Sequence, residues 1–153
     1  MSKTRIAVAG AGTIGLAHMG VLRASTRCEL SAVVDPSPAA QAHADAAGVP
    51  LFKSLAELLA KDRPEGVVLA TPNQLHAPQA LECIEARLPM LLEKPIAPTV
   101  AEAQQLVAAV DQARAKMLIG HHRAHSPIMA KALEVVASGV LGQIGRASCR
   151  ERV

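Results

Sequence analysis

The chain has 153 residues, 50% hydrophobic and 19% charged, with a formal net charge of +3. That length suits one ordinary globular domain and not two, and the apolar fraction excludes a disordered or collagen-like chain. Three arginines and one glutamate among the last eight residues supply +2 of the charge, and Phe52 is the only aromatic residue. No basic surface interleaved with aromatics is available for nucleic acid, so a nucleic-acid partner is not expected.

Short apolar runs alternate with amphipathic segments along the whole chain, the order that βαβ units give to a parallel sheet. The predicted strands are residues 6–9, 30–34, 66–70, Met90–Leu92 and Met117–Ile119, with a weaker one at Leu51–Phe52. Each is a nearly continuous apolar run, as strands covered by helices on both faces should be. Ile14, His18, Val21 and Leu22 recur at helical spacing and predict the stripe that a first helix lays on the sheet. Ser54 with Glu57 and Thr99 with Glu102 have capping-box spacing, and Ser126 followed by Pro127 reads as an N-cap with proline at N1. The expected fold is α/β, a doubly wound parallel sheet of Rossmann type over residues 1–125, followed by a helix over 126–145. Residues 146–153 show neither strand alternation nor a helical stripe and read as read-through sequence or as a native disordered tail.

Cys28, Cys83 and Cys149 are odd in number and lack CxxC spacing, so neither a disulfide framework nor a zinc knuckle is indicated. The first residues pass directly into a strand, and no run of 18 apolar residues occurs. These features predict a cytoplasmic protein with no membrane partner. His121, His122 and His125 cluster in sequence, yet adjacent histidines leaving a strand point apart and no cysteine or carboxylate joins them, so no metal site is expected.

Gly10-Ala-Gly12-Thr-Ile-Gly15 leaves the first strand and opens the first helix, the context that a dinucleotide fingerprint requires. Gly10 permits the tight turn, Gly12 leaves room for a pyrophosphate, and Gly15 lets helix and strand pack closely. The N–H groups of Thr13, Ile14 and Gly15 would then face the phosphates. Asp35 ends the second strand about 20 residues later, where a carboxylate accepts bonds from the adenosine ribose hydroxyls. It repels a 2′-phosphate, and no arginine follows in Pro36-Ser37-Pro38, so NAD is expected in preference to NADP. The alternative is that Asp35 only caps the next helix.

Three later motifs complete a resemblance to the Gfo/Idh/MocA family of sugar and inositol dehydrogenases. They are Ala70-Thr71-Pro72-Asn73 with His76, Glu93-Lys94-Pro95, and Gly120-His121-His122-Arg123. The resemblance runs from Arg5 to about Gly145 and implies an NAD-dependent oxidoreductase of which this chain is the cofactor-binding portion. It implies that Thr71, Asn73 and Glu93 line the cofactor crevice, that His76 points toward the nicotinamide end, and that Arg123 touches substrate or cofactor. Lys94 is the implied catalytic residue, beside the nicotinamide. Apart from the resemblance, Asn73 reads equally as a helix N-cap, His76 as a surface residue and Lys94 as an exposed strand-end lysine. A sugar- or polyol-like substrate and a second domain beyond this chain also follow from the resemblance, with self-association through that domain left open. A non-catalytic dinucleotide-binding regulatory module is the alternative, and the retained Lys94 argues against it.

Overall fold

The computed structural model describes residues 2–142. The expected tail over 146–153, and the last three residues of the helix expected over 126–145, lie outside the described residues. Every predicted apolar run is a strand: β1 (Thr4–Ala9), β2 (Cys28–Val34), β3 (Leu51–Phe52), β4 (Gly66–Leu69), β5 (Met90–Leu92) and β6 (Met117–Ile119). They form one sheet in the order β3-β2-β1-β4-β5-β6, every pair parallel. The connection reverses direction at β1, so β1 and β4 flank the switch point beyond their carboxyl ends.

The helices between them are α1 (Thr13–Ala24), α2 (Ala40–Ala47), α3 (Leu55–Lys61), α4 (His76–Glu85) and α5 (Val100–Ala113). Ser54 accepts the Glu57 N–H at the start of α3, and Thr99 and Glu102 form a complete reciprocal box at the start of α5. In α3 the returning carboxylate of Glu57 reaches Lys53 N–H rather than that of Ser54, so this box closes one residue earlier.

One sheet face, with Ala9, Val34, Leu69 and Leu92, packs against Leu58, Ala80, Cys83 and Leu106 of α3, α4 and α5. Full burial of a leucine such as Leu58 or Leu106 stabilises the fold by about 1.5–3 kcal/mol. Burial, with Glu82 nearby, pushes the Cys83 thiol up to about 12, so it serves the core as an inert apolar group. The opposite face carries Val8, Val33 and Val68 under Met19 of α1 and Ala44 of α2.

Two expectations give way here. The stripe that α1 lays on the sheet is Gly15, Met19 and the partly buried Leu22, while Ile14 and Val21 are 48% and 69% exposed. Gly15 fixes this rotation, because only a residue without a side chain can lie against the Gly10 carbonyl. Nor is every strand covered on both faces, since Leu118 of β6 is 70% exposed. Within the unit that holds the sheet, α1 packs on β1, β2 and β4 of that face and α2 on β2 and β3.

The chain divides into two compact units, Met1–Gly120 and His121–Val153. The first ends with the last bond of the β6 ladder, Gly120 N–H to the Leu92 carbonyl, five residues before the boundary read from the sequence. In the second, a 3-10 turn over His122–His125 leads into α6 (Pro127–Ala137), whose N-cap Ser126 accepts the Met129 N–H and whose Ile128 and Leu133 are exposed. Among the described residues no helix is long and apolar enough to cross a membrane.

Candidate functional site

The strands β1, β2, β4 and β5 end side by side, and their following residues form the rim of a crevice. At β1 the turn begins with Gly10, whose φ of +93° lies in the left-handed region that favours glycine. A Cβ there would come within 2.4 Å of the Ala70 carbonyl oxygen, and one on Gly15 within 1.8 Å of the Gly10 oxygen. Gly12 differs from both: nothing lies within 4 Å of its Cβ position, and its backbone is extended. Gly10 and Gly15 therefore build the turn, and Gly12 keeps the space in front of it clear.

The start of α1 is also chemically open. Among the described residues no side chain caps it and no acidic residue stands in its first turn, in contrast to α3 and α5, which carry both. Thr13 and Ile14 are exposed there, while Gly15 is buried. Free N–H groups and the positive end of the helix dipole make such a terminus receptive to an anion.

Asp35 follows β2 and faces this turn. Its Oδ2 accepts the Ala11 N–H at 2.8 Å and its Oδ1 the Ser37 N–H at 2.8 Å. A carboxylate has about four lone-pair sites, so acceptor capacity remains for hydroxyl donors. The bond to Ala11 also ties the glycine turn to the end of β2.

After β4, Thr71 donates its hydroxyl to Gln79 Oε1 at 2.6 Å, and Pro72 enters a short 3-10 turn over Asn73–Leu75. Asn73 is exposed and does not cap α4, which has no side-chain cap. His76 does not face the crevice. Its side chain is 1% exposed, with Nδ1 2.6 Å from the Pro95 carbonyl oxygen and Nε2 2.8 Å from that of Thr71, so neither ring nitrogen is free for a ligand.

After β5, Glu93 Oε1 accepts from His18 Nε2 of α1 at 2.9 Å, and Oε2 accepts the Lys94 N–H at 3.3 Å. The carboxylate lies over Gly120, where a Cβ would come within 2.7 Å of it. Burial raises the Glu93 pKa, but the His18 hydrogen bond, the Lys94 N–H and the charges of His18 and Lys94 outweigh it. The group is held below the ordinary carboxylate range. Lys94 itself is exposed, and its peptide bond to Pro95 is cis. Arg123 is exposed on the 3-10 turn of the second unit. Among the described residues no group of three or more metal-ligating side chains is assembled.

His18 and Gln79 thus join the site although the sequence reading gives them no role in it, and Ala11 and Gly120, which lie within its motifs, gain specific contacts. For His18 the signal is a titratable residue inside the otherwise apolar run over 14–22, three positions after the last glycine of the fingerprint.

Sheet order and the open helix start at the switch point together make this a dinucleotide-binding domain of Rossmann type. Residues 4–121 match the oxidoreductase family described as having an NAD-binding Rossmann fold, the Gfo/Idh/MocA family, and the chain belongs to it. An inositol 2-dehydrogenase of Rubrobacter xylanophilus is 36% identical over 143 residues, 90% of this chain and 41% of that protein. The rhizopine catabolism protein MocA of Rhizobium meliloti is 26% identical over 149 residues, 97% of this chain and 47% of its own length. Among solved structures, the WlbA dehydrogenase from Bordetella pertussis in complex with NADH and UDP-GlcNAcA aligns with a TM-score of 0.85 at 30% identity, covering 92% of this chain and 44% of that one. The chain spans less than half the length of the relatives it matches.

Proposed function

We propose that this chain is the cofactor-binding part of an NAD-dependent dehydrogenase that moves hydride between a nicotinamide and a secondary alcohol of a sugar- or polyol-like substrate. The observation that carries the reading is the uncapped start of α1 with open space at Gly12, a cradle that a Cβ would fill. Thr13, Ile14 and Gly15 present backbone N–H groups to the pyrophosphate, and Asp35 takes the adenosine ribose hydroxyls. The charge of Asp35 disfavours a 2′-phosphate, which makes NAD the preferred form. The similarity to an inositol 2-dehydrogenase and to a dehydrogenase in complex with UDP-GlcNAcA favours a polyhydroxylated substrate.

When bound, the nicotinamide supplies acceptance of hydride from a carbinol carbon, or its return to a carbonyl. The chain's own residues handle the proton. In its amine form Lys94 takes it from the substrate hydroxyl as charge builds on oxygen and becomes the ammonium, while Glu93, held ionised by His18, fixes the backbone of the lysine through its N–H. Thr71 and Asn73 line the same end of the crevice.

The chain lacks tryptophan and tyrosine, so NADH fluorescence can be followed without protein background. Titration should give saturable NADH binding, tighter than that of NADPH. Reduction of NAD against a panel of inositols, sugars and sugar acids should not occur with this chain alone, because the positioning that closes over the substrate can supply about 7–11 kcal/mol of barrier lowering and belongs to the rest of the protein. Absence of NADH binding overturns the assignment. Substrate-dependent turnover abolished by Lys94→Ala would instead show a complete active site in these residues.

A further inference from the structure

His76 opens α4 and is the one fully buried polar side chain among the described residues, yet the proton chemistry above does not use it. Its two contacts reach two different parts of the crevice rim. Nδ1 lies 2.6 Å from the carbonyl oxygen of Pro95, one residue after Lys94, and Nε2 lies 2.8 Å from that of Thr71, at the start of the turn that carries Asn73. A carbonyl oxygen only accepts, so each contact is attractive where the ring nitrogen facing it carries a hydrogen. The neutral ring has one such hydrogen and the imidazolium two. The ring is rigid and wholly enclosed, and the shorter of its two contacts is the one from Nδ1 to Pro95. A core histidine that only filled space would need neither contact.

We propose that His76 is a positioning residue: from the start of α4, directly after the turn that carries Asn73, its Nδ1–H holds the Pro95 carbonyl and with it the segment that carries Lys94, and so shapes the nicotinamide half of the crevice while leaving the adenosine half untouched. The adenosine half is built elsewhere, from the glycine turn of β1 and the Asp35 carboxylate, and none of its hydrogen bonds passes through α4. The proposal rests on the dinucleotide reading above, and it assigns a group outside the ligand-lining residues to the geometry of the reacting end.

The two contacts can be separated by substitution. The amide nitrogen of asparagine stands about where Nδ1 does and retains the tether to Pro95, whereas that of glutamine stands about where Nε2 does and retains the one to Thr71. The readout is the ratio of two affinities measured on the full chain, NADH by fluorescence and ADP-ribose, which lacks the nicotinamide, by calorimetry. His76→Ala and His76→Gln should lower the NADH advantage over ADP-ribose by about fivefold to tenfold, the worth of one hydrogen bond, with ADP-ribose affinity unchanged. His76→Asn should keep the ratio close to that of the unmutated chain. Unchanged ratios in His76→Gln and His76→Ala, or a parallel loss of both ligands, would overturn the positioning role. So would a wild-type chain that binds the two ligands equally. A wild-type chain that binds neither refutes the dinucleotide reading itself, and this proposal with it. If His76→Ala does not fold, the comparison of His76→Gln with His76→Asn decides the matter.

Discussion

Alanine in place of Gly15, Gly12 and Gly20, all in or beside one helix, should have three different effects. At Gly15 the added Cβ falls 1.8 Å from the Gly10 oxygen and 2.9 Å from its carbonyl carbon. Real Cβ atoms do not approach below 3.0 Å, so α1 must retreat from β1 by about 1.2 Å, and both obstacles are backbone atoms that cannot rotate away. Forced overpacking costs about 1–3 kcal/mol, and the retreat also loosens Met19 from Val8 and Val68. The expected loss is about 3 kcal/mol or more, a large part of the 5–15 kcal/mol typical of a domain. Gly20, exposed in the same helix with nothing within 4 Å, should instead gain up to about 1 kcal/mol as alanine, from helix propensity alone. Gly12→Ala, in open space with ordinary backbone angles, should leave stability within about 0.5 kcal/mol of the unmutated chain and yet weaken NADH binding at least about tenfold. Urea unfolding followed by far-ultraviolet circular dichroism measures the stabilities, and NADH titration the affinity. A Gly15→Ala variant as stable as the parent would refute the close approach of α1 to β1. A Gly12→Ala variant that binds NADH normally would refute the assignment of the open space to the pyrophosphate.

Gly120→Ala should displace the Glu93 carboxylate from His18, at a cost of about 1–2 kcal/mol, less than at Gly15 because the obstacle is a movable side-chain end. In a double-mutant cycle with His18→Ala the two losses should not add, and additivity would show that Gly120 acts elsewhere. The Glu93 pKa is depressed in the folded chain, so its stabilising contribution is full above the ordinary carboxylate value of 4.5 and fades as pH falls through the lower folded value. The stability gap between the unmutated chain and Glu93→Gln should therefore narrow as the pH falls through the folded value of Glu93, and a gap that did not shrink with acidification would contradict the stabilising contact with His18. Asp35→Ala should narrow the preference for NAD over NADP and cost about 1 kcal/mol, because the Ala11 and Ser37 N–H groups both lose their acceptor. Equal affinities of the unmutated chain for the two dinucleotides, measured by calorimetry, would remove Asp35 as the discriminator.

What could be read from the sequence was local. The six apolar runs became the six strands, because an inner strand of a parallel sheet has no polar face to disguise it, and the edge strand β6 is apolar although Leu118 is exposed. The Thr99 box and the Ser126 cap needed only residues three apart. The rotation of α1 was misread because Ile14 and Val21 are apolar and fall on a plausible stripe. Nothing in their own chemistry records that Gly15 must meet the Gly10 carbonyl, which is a contact between backbones. The position of His76 was misread for a related reason: its partners are carbonyl oxygens, which every residue has, and one of them belongs to Pro95, 19 residues away.

The two halves of the crevice differ in the same respect. On the adenosine side, the glycine turn and Asp35 lie within 25 residues, and each acts through backbone geometry or one carboxylate, so spacing alone reveals them. On the side of Lys94, Glu93 is oriented by His18, 75 residues away, it lies over a glycine from the end of β6, and Pro95 is held by a histidine from α4. Each of those partners sits on a different element, and the sheet order brings them together at the end of β5. A motif of a few residues can therefore specify the binding of a dinucleotide, whereas placing its reactive end requires the assembled sheet. Substitutions at His18, His76 or Gly120, none of them in the glycine fingerprint, should consequently alter the Lys94 end of the crevice before they alter the adenosine end.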